Sequence, residues 1–156
     1  KGSTLEVRFD KSRSRKHDTF IEITSPDIRS VTFSGASDSK VYGFTANKFD
    51  VYLSGASVCQ VNIECSEIKA VLTGGSYLNL KGEADRLSAD LSGASALKAF
   101  GFQASFGDVL LSGASDGQVS VADELTVKAS GASHLTYRGT PQLSIDVSGA
   151  SSVQRD

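Results

Sequence analysis

The 156 residues carry 16 basic and 18 acidic side chains, a net charge of −2, so the charge balance gives no reason to expect a nucleic-acid partner. Fifteen glycines, two prolines and neither Trp nor Met favour a turn-rich β protein over a helical one. No apolar run approaches the ~20 residues of a membrane-spanning helix, and the length suits one domain with a continuous core.

With no Met, residue 1 is not expected to be the natural start, and composition leaves the compartment unread. The first 30 residues alternate irregularly. Leu5, Val7 and Phe9 form one short apolar alternation, and Phe20, Ile21 and Ile23 a looser one. Between them lies Lys11-Ser12-Arg13-Ser14-Arg15-Lys16-His17-Asp18. These are expected to be two degenerate first-coil strands joined by a basic loop, a solvated tip more than an anion contact.

From Ser34 onward one tetrapeptide dominates. Ser-Gly-Ala-Ser begins at Ser34, Ser54, Ser92, Ser112, Ser130 and Ser148, with the variant Thr73-Gly74-Gly75-Ser76 between the second and third. Successive spacings are 20, 19, 19, 20, 18 and 18 residues. A fixed period near 20 marks a solenoid, in which each unit contacts mainly its neighbours. Apolar residues alternate on both sides of the tetrapeptide: Phe49, Val51 and Leu53 before Ser54, and Cys59, Val61 and Ile63 after Ser57. Leu87, Ala89, Leu91 and Leu97, Ala99, Gly101 flank the fourth copy in the same way, as Leu125, Val127, Ala129 and Leu135, Tyr137, Gly139 flank the sixth. Period two is the strand signal.

If the chain stays extended through the tetrapeptide, Gly55 and Ser57 point inward and Ser54 and Ala56 outward, with small inward residues sparing a sharp corner a clash with the opposite wall. Polar segments such as Thr45-Ala46-Asn47-Lys48, Glu83-Ala84-Asp85-Arg86 and Thr140-Pro141-Gln142 are expected to be loops that absorb the changes in spacing. No six-residue subperiod supports a left-handed helix, and propeller blades need ~40 residues. The expected fold is all-β: a single-stranded right-handed parallel β-helix with coils of 18–20 residues. Residues 1–156 form one domain, with irregular first coils to residue 30 and regular coils over 31–156. Seven coils ~4.8 Å apart make a rod on the order of 35 Å long.

Outward columns are the places to look for chemistry. The column four residues before the motif reads Ser30, Asp50, Lys69, Ser88, Asp108, Thr126, Ser144, and the column two before reads Thr32, Tyr52, Val71, Asp90, Leu110, Lys128, Asp146. Asp90 and Asp108 are diagonal neighbours ~8 Å apart, but no third carboxylate or Arg joins them, so two solvated aspartates are expected. The column three after the motif reads Lys40, Gln60, Asn79, Lys98, Gln118, Thr136, Gln154. Its amides can bond along the stack as a ladder or meet sugar hydroxyls, and Tyr42, Tyr77 and Phe100 stand beside them for stacking. No His sits beside a Ser with a matching carboxylate. Cys59 and Cys65 are six apart on a strand, ~20 Å when extended, too far for a disulfide, and too few for zinc without His17 or His134 nearby. No catalytic, cofactor-binding or metal-binding residue is nominated, and no cofactor is implied.

The recurring Leu-Ser-Gly-Ala-Ser, the segment Tyr137-Arg138-Gly139-Thr140-Pro141 and the closing Asp146-Val147-Ser148-Gly149-Ala150-Ser151 resemble the bacterial putative auto-transporter adhesin family, head GIN domain, over residues 19–156. In that family the β-helix follows an export signal, often of lipoprotein type. The resemblance implies the periplasm, outer membrane or cell surface of a Bacteroidetes-type Gram-negative bacterium. It carries over no site residue. The functional expectation is a non-enzymatic envelope or surface module with an adhesin or structural role. The alternative is a carbohydrate-binding or polysaccharide-active β-helix. Expected partners are a protein or glycan at the envelope, with a homo-oligomer compatible and no nucleic acid or membrane span.

Overall fold

The computed structural model describes residues 4–7 and 20–156. Phe9 and the basic segment with His17 lie outside the described residues. Among the described residues nine strands follow in chain order: β1 (Ser30–Phe33), β2 (Asp38–Leu53), β3 (Val58–Leu72), β4 (Tyr77–Leu91), β5 (Ala96–Leu111), β6 (Asp116–Ala129), β7 (His134–Arg138), β8 (Gln142–Val147) and β9 (Ser152–Arg155). Every pairing is parallel; β1 to β6 lie each on its successor, and β9 lies on β7. β7 and β8 share one coil, pairing with the first and second halves of β6. The result is a parallel β-solenoid of about seven turns, without an α-helix among the described residues.

The tetrapeptides form one corner, stacked coil on coil. Ala56 N donates to Gly35 O at 2.7 Å, Gly75 N to Gly55 O at 2.8 Å and Ala94 N to Gly74 O at 2.8 Å, a series that continues to Ala150 N and Gly131 O at 2.7 Å. The last serine of each copy turns inward. Ser57 is fully buried, and its hydroxyl donates to Ser54 O at 2.7 Å, satisfying a polar group that would otherwise be costly in the core. Ser115 and Ser133 repeat this bond to Ser112 O and Ser130 O.

The glycine differs from expectation. Gly55 is exposed, not inward. It holds φ at +72°, and a Cβ there would lie 2.6 Å from Gly35 O in the coil below. The constraint is therefore left-handed backbone plus the close approach of the neighbouring coil, not collision with an opposite wall.

Phe49, Val51, Leu53, Val61, Leu91, Leu111 and Val127 are all buried, as the alternation predicts. Each such aliphatic or aromatic contributes about 1.5–3 kcal/mol by leaving water. Two further inward assignments fail: Gly139 is exposed, and Gly101 is exposed with Phe102 buried in its place. In the last coil Leu143, Ile145 and Val147 occupy core columns but remain 40–45% exposed, with a neighbouring coil on one side.

The spacing changes are not absorbed where the polar segments suggested. Thr45, Ala46 and Lys48 stay in the ladder, paired with Glu64, Cys65 and Glu67, and Glu83, Ala84 and Arg86 continue it. An inward column of small residues, Ala46, Cys65 and Ala84, packs against the core there and keeps these segments in register. Of the expected loops, the one containing Thr140 and Pro141 does leave the ladder. The extra residues emerge instead as register shifts between Val41 and Phe44, Asn79 and Lys81, Ala99 and Gln103, and Ala104 and Phe106. The shift after Ala99 is what exchanges Gly101 for Phe102.

Cys59 is buried, Cys65 partly buried, and both are free thiols. Burial pushes the Cys59 thiol up, against a smaller lowering by a hydrogen bond from Ser39. Burial, then the nearby Asp85 carboxylate, pushes Cys65 up to about 11.

Candidate functional site

The outward columns expected from sequence are those of the ladder. Lys40 pairs with Gln60, Gln60 with Asn79, Asn79 with Lys98, Lys98 with Gln118, Gln118 with Thr136 and Thr136 with Gln154. Asp90 and Asp108 are both exposed and diagonal across β4 and β5, with Asp90 opposite Leu110 and Asp108 opposite Ser88. Among the described residues, no group of three or more His, Cys, Asp or Glu is placed to hold a metal ion.

Three register shifts begin just beside the amide column, so this face is where the solenoid departs from regularity. In β2, Tyr42 and Gly43 stand against the single residue Asn62 of β3. This is a β-bulge, and Gly43 takes the left-handed φ of +79° that it requires. Bulges re-aim side chains, and Tyr42 is 67% exposed. Below it lies an open depression of about 210 Å³ lined by Lys40, Tyr42, Gln60, Asn62, Asn79 and Lys81, with Val41 and Val61 at its floor.

The amides do not form a bonded ladder. Among the described residues, Gln60, Asn62 and Asn79 have no side-chain hydrogen bond, and Lys40 and Lys81 no ion pair. Their donors and acceptors face solvent. The cations Lys48, Lys98 and Arg138, by contrast, are paired with Glu67, Asp116 and Asp156 at 3.3, 3.7 and 2.7 Å. Of the three expected outward aromatics only Tyr42 is open. Tyr77 is half-buried, and Phe100 lies under the Arg138 guanidinium, 4.0 Å from its ring centroid.

The fold also brings together a pair that the sequence reading missed. His134 Nδ1 is 2.6 Å from Ser152 Oγ, and its Nε2 is 3.3 Å from Thr136 Oγ1. The 18-residue coil is the signal that could have found it, since it places Ser152 one coil from His134. Asp116 is the ladder partner of His134 on the other side, but its carboxylate turns to Lys98. Both ring nitrogens meet hydroxyls and, among the described residues, no carboxylate bonds the imidazole, so the group that orients a catalytic base is missing there.

The sequence profile of the putative auto-transporter adhesin family, head GIN domain, matches residues 1–141. The chain belongs to this family. No curated protein matches it. Two of the crystal structures that share its fold are similar to it over most of its length. One is a putative adhesin from Bacteroides fragilis, at TM-score 0.74 and 19% identity, over 85% of this chain and 62% of that one. The other is described as a putative lipid binding protein from Parabacteroides distasonis, at TM-score 0.71 and 18% identity, over 85% and 63%. The chain thus spans less than two thirds of either relative's length, and at these identities the likeness speaks for the fold alone. The family supports a surface, adhesin-like role. The profile match reaches residue 1, beyond the start at residue 19 that the motifs implied, and stops before the last copy of the tetrapeptide.

Proposed function

We propose that this chain is a non-enzymatic, adhesin-like module of the cell envelope that binds a glycan along one lateral face of its solenoid. The observation that carries this is the depression beside the β2 bulge. An exposed tyrosine, three carboxamides and two lysines converge there, the amides without a side-chain hydrogen bond and the lysines without an ion pair among the described residues. An amphipathic ring stacks on the apolar face of a sugar while amides meet its hydroxyls, and a solenoid offers an extended lateral face along which a polymer can lie. Membership of an adhesin family supports an envelope location and a binding role. The pair of His134 and Ser152, without a carboxylate behind it among the described residues, supports a protein that holds its ligand without turning it over.

The test is affinity electrophoresis of the purified protein through gels containing polysaccharides, repeated with Tyr42→Ala and Gln60→Ala. Both side chains are exposed, so the variants should fold as the parent does. Retardation lost in both variants supports this face as the binding site. Retardation equal to the parent's in both would place binding elsewhere and sink the proposal.

A further inference from the structure

We infer that the depression selects an anionic saccharide, one carrying carboxylate or sulfate groups along its chain; this rests on the glycan-binding reading above and narrows it. Its lining holds two lysines and no carboxylate, on a protein of net charge −2. Solenoid stacking lets neighbouring coils neutralise each other's charges, and Lys48, Lys98 and Arg138 do so. Lys40 and Lys81 do not. The ladder partner of Lys40 is Gln60, and those of Lys81 are Asn62 and Gly101, none of them acidic. The nearest acids on the same strands, Asp38 and Glu83, lie two residues away, outside the lining. Together with Glu64, the ladder partner of Glu83, they bound the cationic patch and repel an anion that strays from it.

The spacing fits a polymer. Lys40 and Lys81 are two coils apart and offset by two residues along the strand, which separates their backbones by ~12 Å. That is of the order of one disaccharide repeat, so negative groups on alternate sugars can meet both ammonium groups. Tyr42 and Asn62 lie in the column that leads to Lys81, and Gln60 and Asn79 in the column that leads from Lys40. At about 210 Å³ the depression is smaller than the ~300–1,000 Å³ of a small-molecule pocket. It suits one link of a chain that continues in either direction. Two lysines on an acidic protein do not make the basic stripe that a nucleic acid needs.

The experiment measures binding to polygalacturonate, alginate and hyaluronate, each beside its carboxyl-reduced, neutral counterpart. The expected result is binding to at least one acidic polymer, about tenfold or more weaker for its neutral form, and weakening as salt rises. Lys40→Gln with Lys81→Gln should remove that preference, bringing binding of the acidic polymer down to the level of its neutral form, with an unaltered circular dichroism spectrum. Equal binding of acidic and neutral forms, or a preference that survives the double variant, overturns this inference while leaving the glycan-binding reading intact. Binding to no polymer, acidic or neutral, overturns both.

Discussion

Gly74 and Gly75 are adjacent in the variant tetrapeptide, and the same added methyl should act on them with opposite sign. Gly74 holds φ at +75°, and its Cβ would lie 2.8 Å from Gly55 O and 3.2 Å from Gly55 N. A left-handed alanine costs roughly 1–2 kcal/mol, and forcing the two coils apart adds roughly 1–3 kcal/mol by overpacking. The separation would also stretch the bond from Gly75 N to Gly55 O, now 2.8 Å. A stiffer unfolded chain returns about 0.4–1 kcal/mol, leaving Gly74→Ala destabilised by roughly 2–4 kcal/mol. Gly75 has no positive φ, its Cβ would sit an ordinary 3.8 Å from Gly55 O, and every other copy has Ala there. Gly75→Ala should therefore stabilise by about 0.4–1 kcal/mol. In thermal unfolding, Tm should fall by roughly 5–15 °C for Gly74→Ala and rise by a few degrees for Gly75→Ala. Because both residues sit in one coil, differential fraying cannot explain a difference between them. Shifts of the same sign and size would refute the idea that coil-to-coil contact, not turn chemistry alone, dictates the glycine.

Titrating thiols in the denatured, unreduced protein should find two, since Cys59 and Cys65 are both free; finding none would contradict their separation on β3. The Cys65 thiol is raised from 9 to about 11 on folding, so the folded state keeps its proton where the unfolded state loses it. The stability this contributes is complete below pH 9 and is lost as pH rises from 9 to about 11. Denaturant unfolding across that window should show a decline that is shallower in Cys65→Ala. Asp90→Ala with Asp108→Ala should leave polysaccharide binding unchanged and reveal no turnover, because both side chains are solvated and lie off the amide face. Viscometry that detected depolymerisation by the parent, abolished in this double variant, would make the protein an enzyme.

The Ser-Gly-Ala-Ser period by itself determined the stacking, the parallel pairing and the membership of the outward columns. A period-two pattern buried on one face leaves no freedom of register, and a corner pinned once per coil resets any slip within each coil. Hence Lys40, Gln60, Asn79 and Lys98 could be aligned without coordinates. Only the tertiary structure decided where the surplus residues of the longer coils go. The sequence marked the polar segments near Asn47 and Asp85, but an inward column of small residues packs there and holds the ladder. Most of the surplus emerged beside the amides, turning Phe102 inward in place of Gly101. Arg138 then covered Phe100 from 38 residues away in the chain, and His134 met Ser152 across a coil. Each of these outcomes is a competition between core packing and ladder continuity among residues on different coils, and no local pattern of side chains records which one wins.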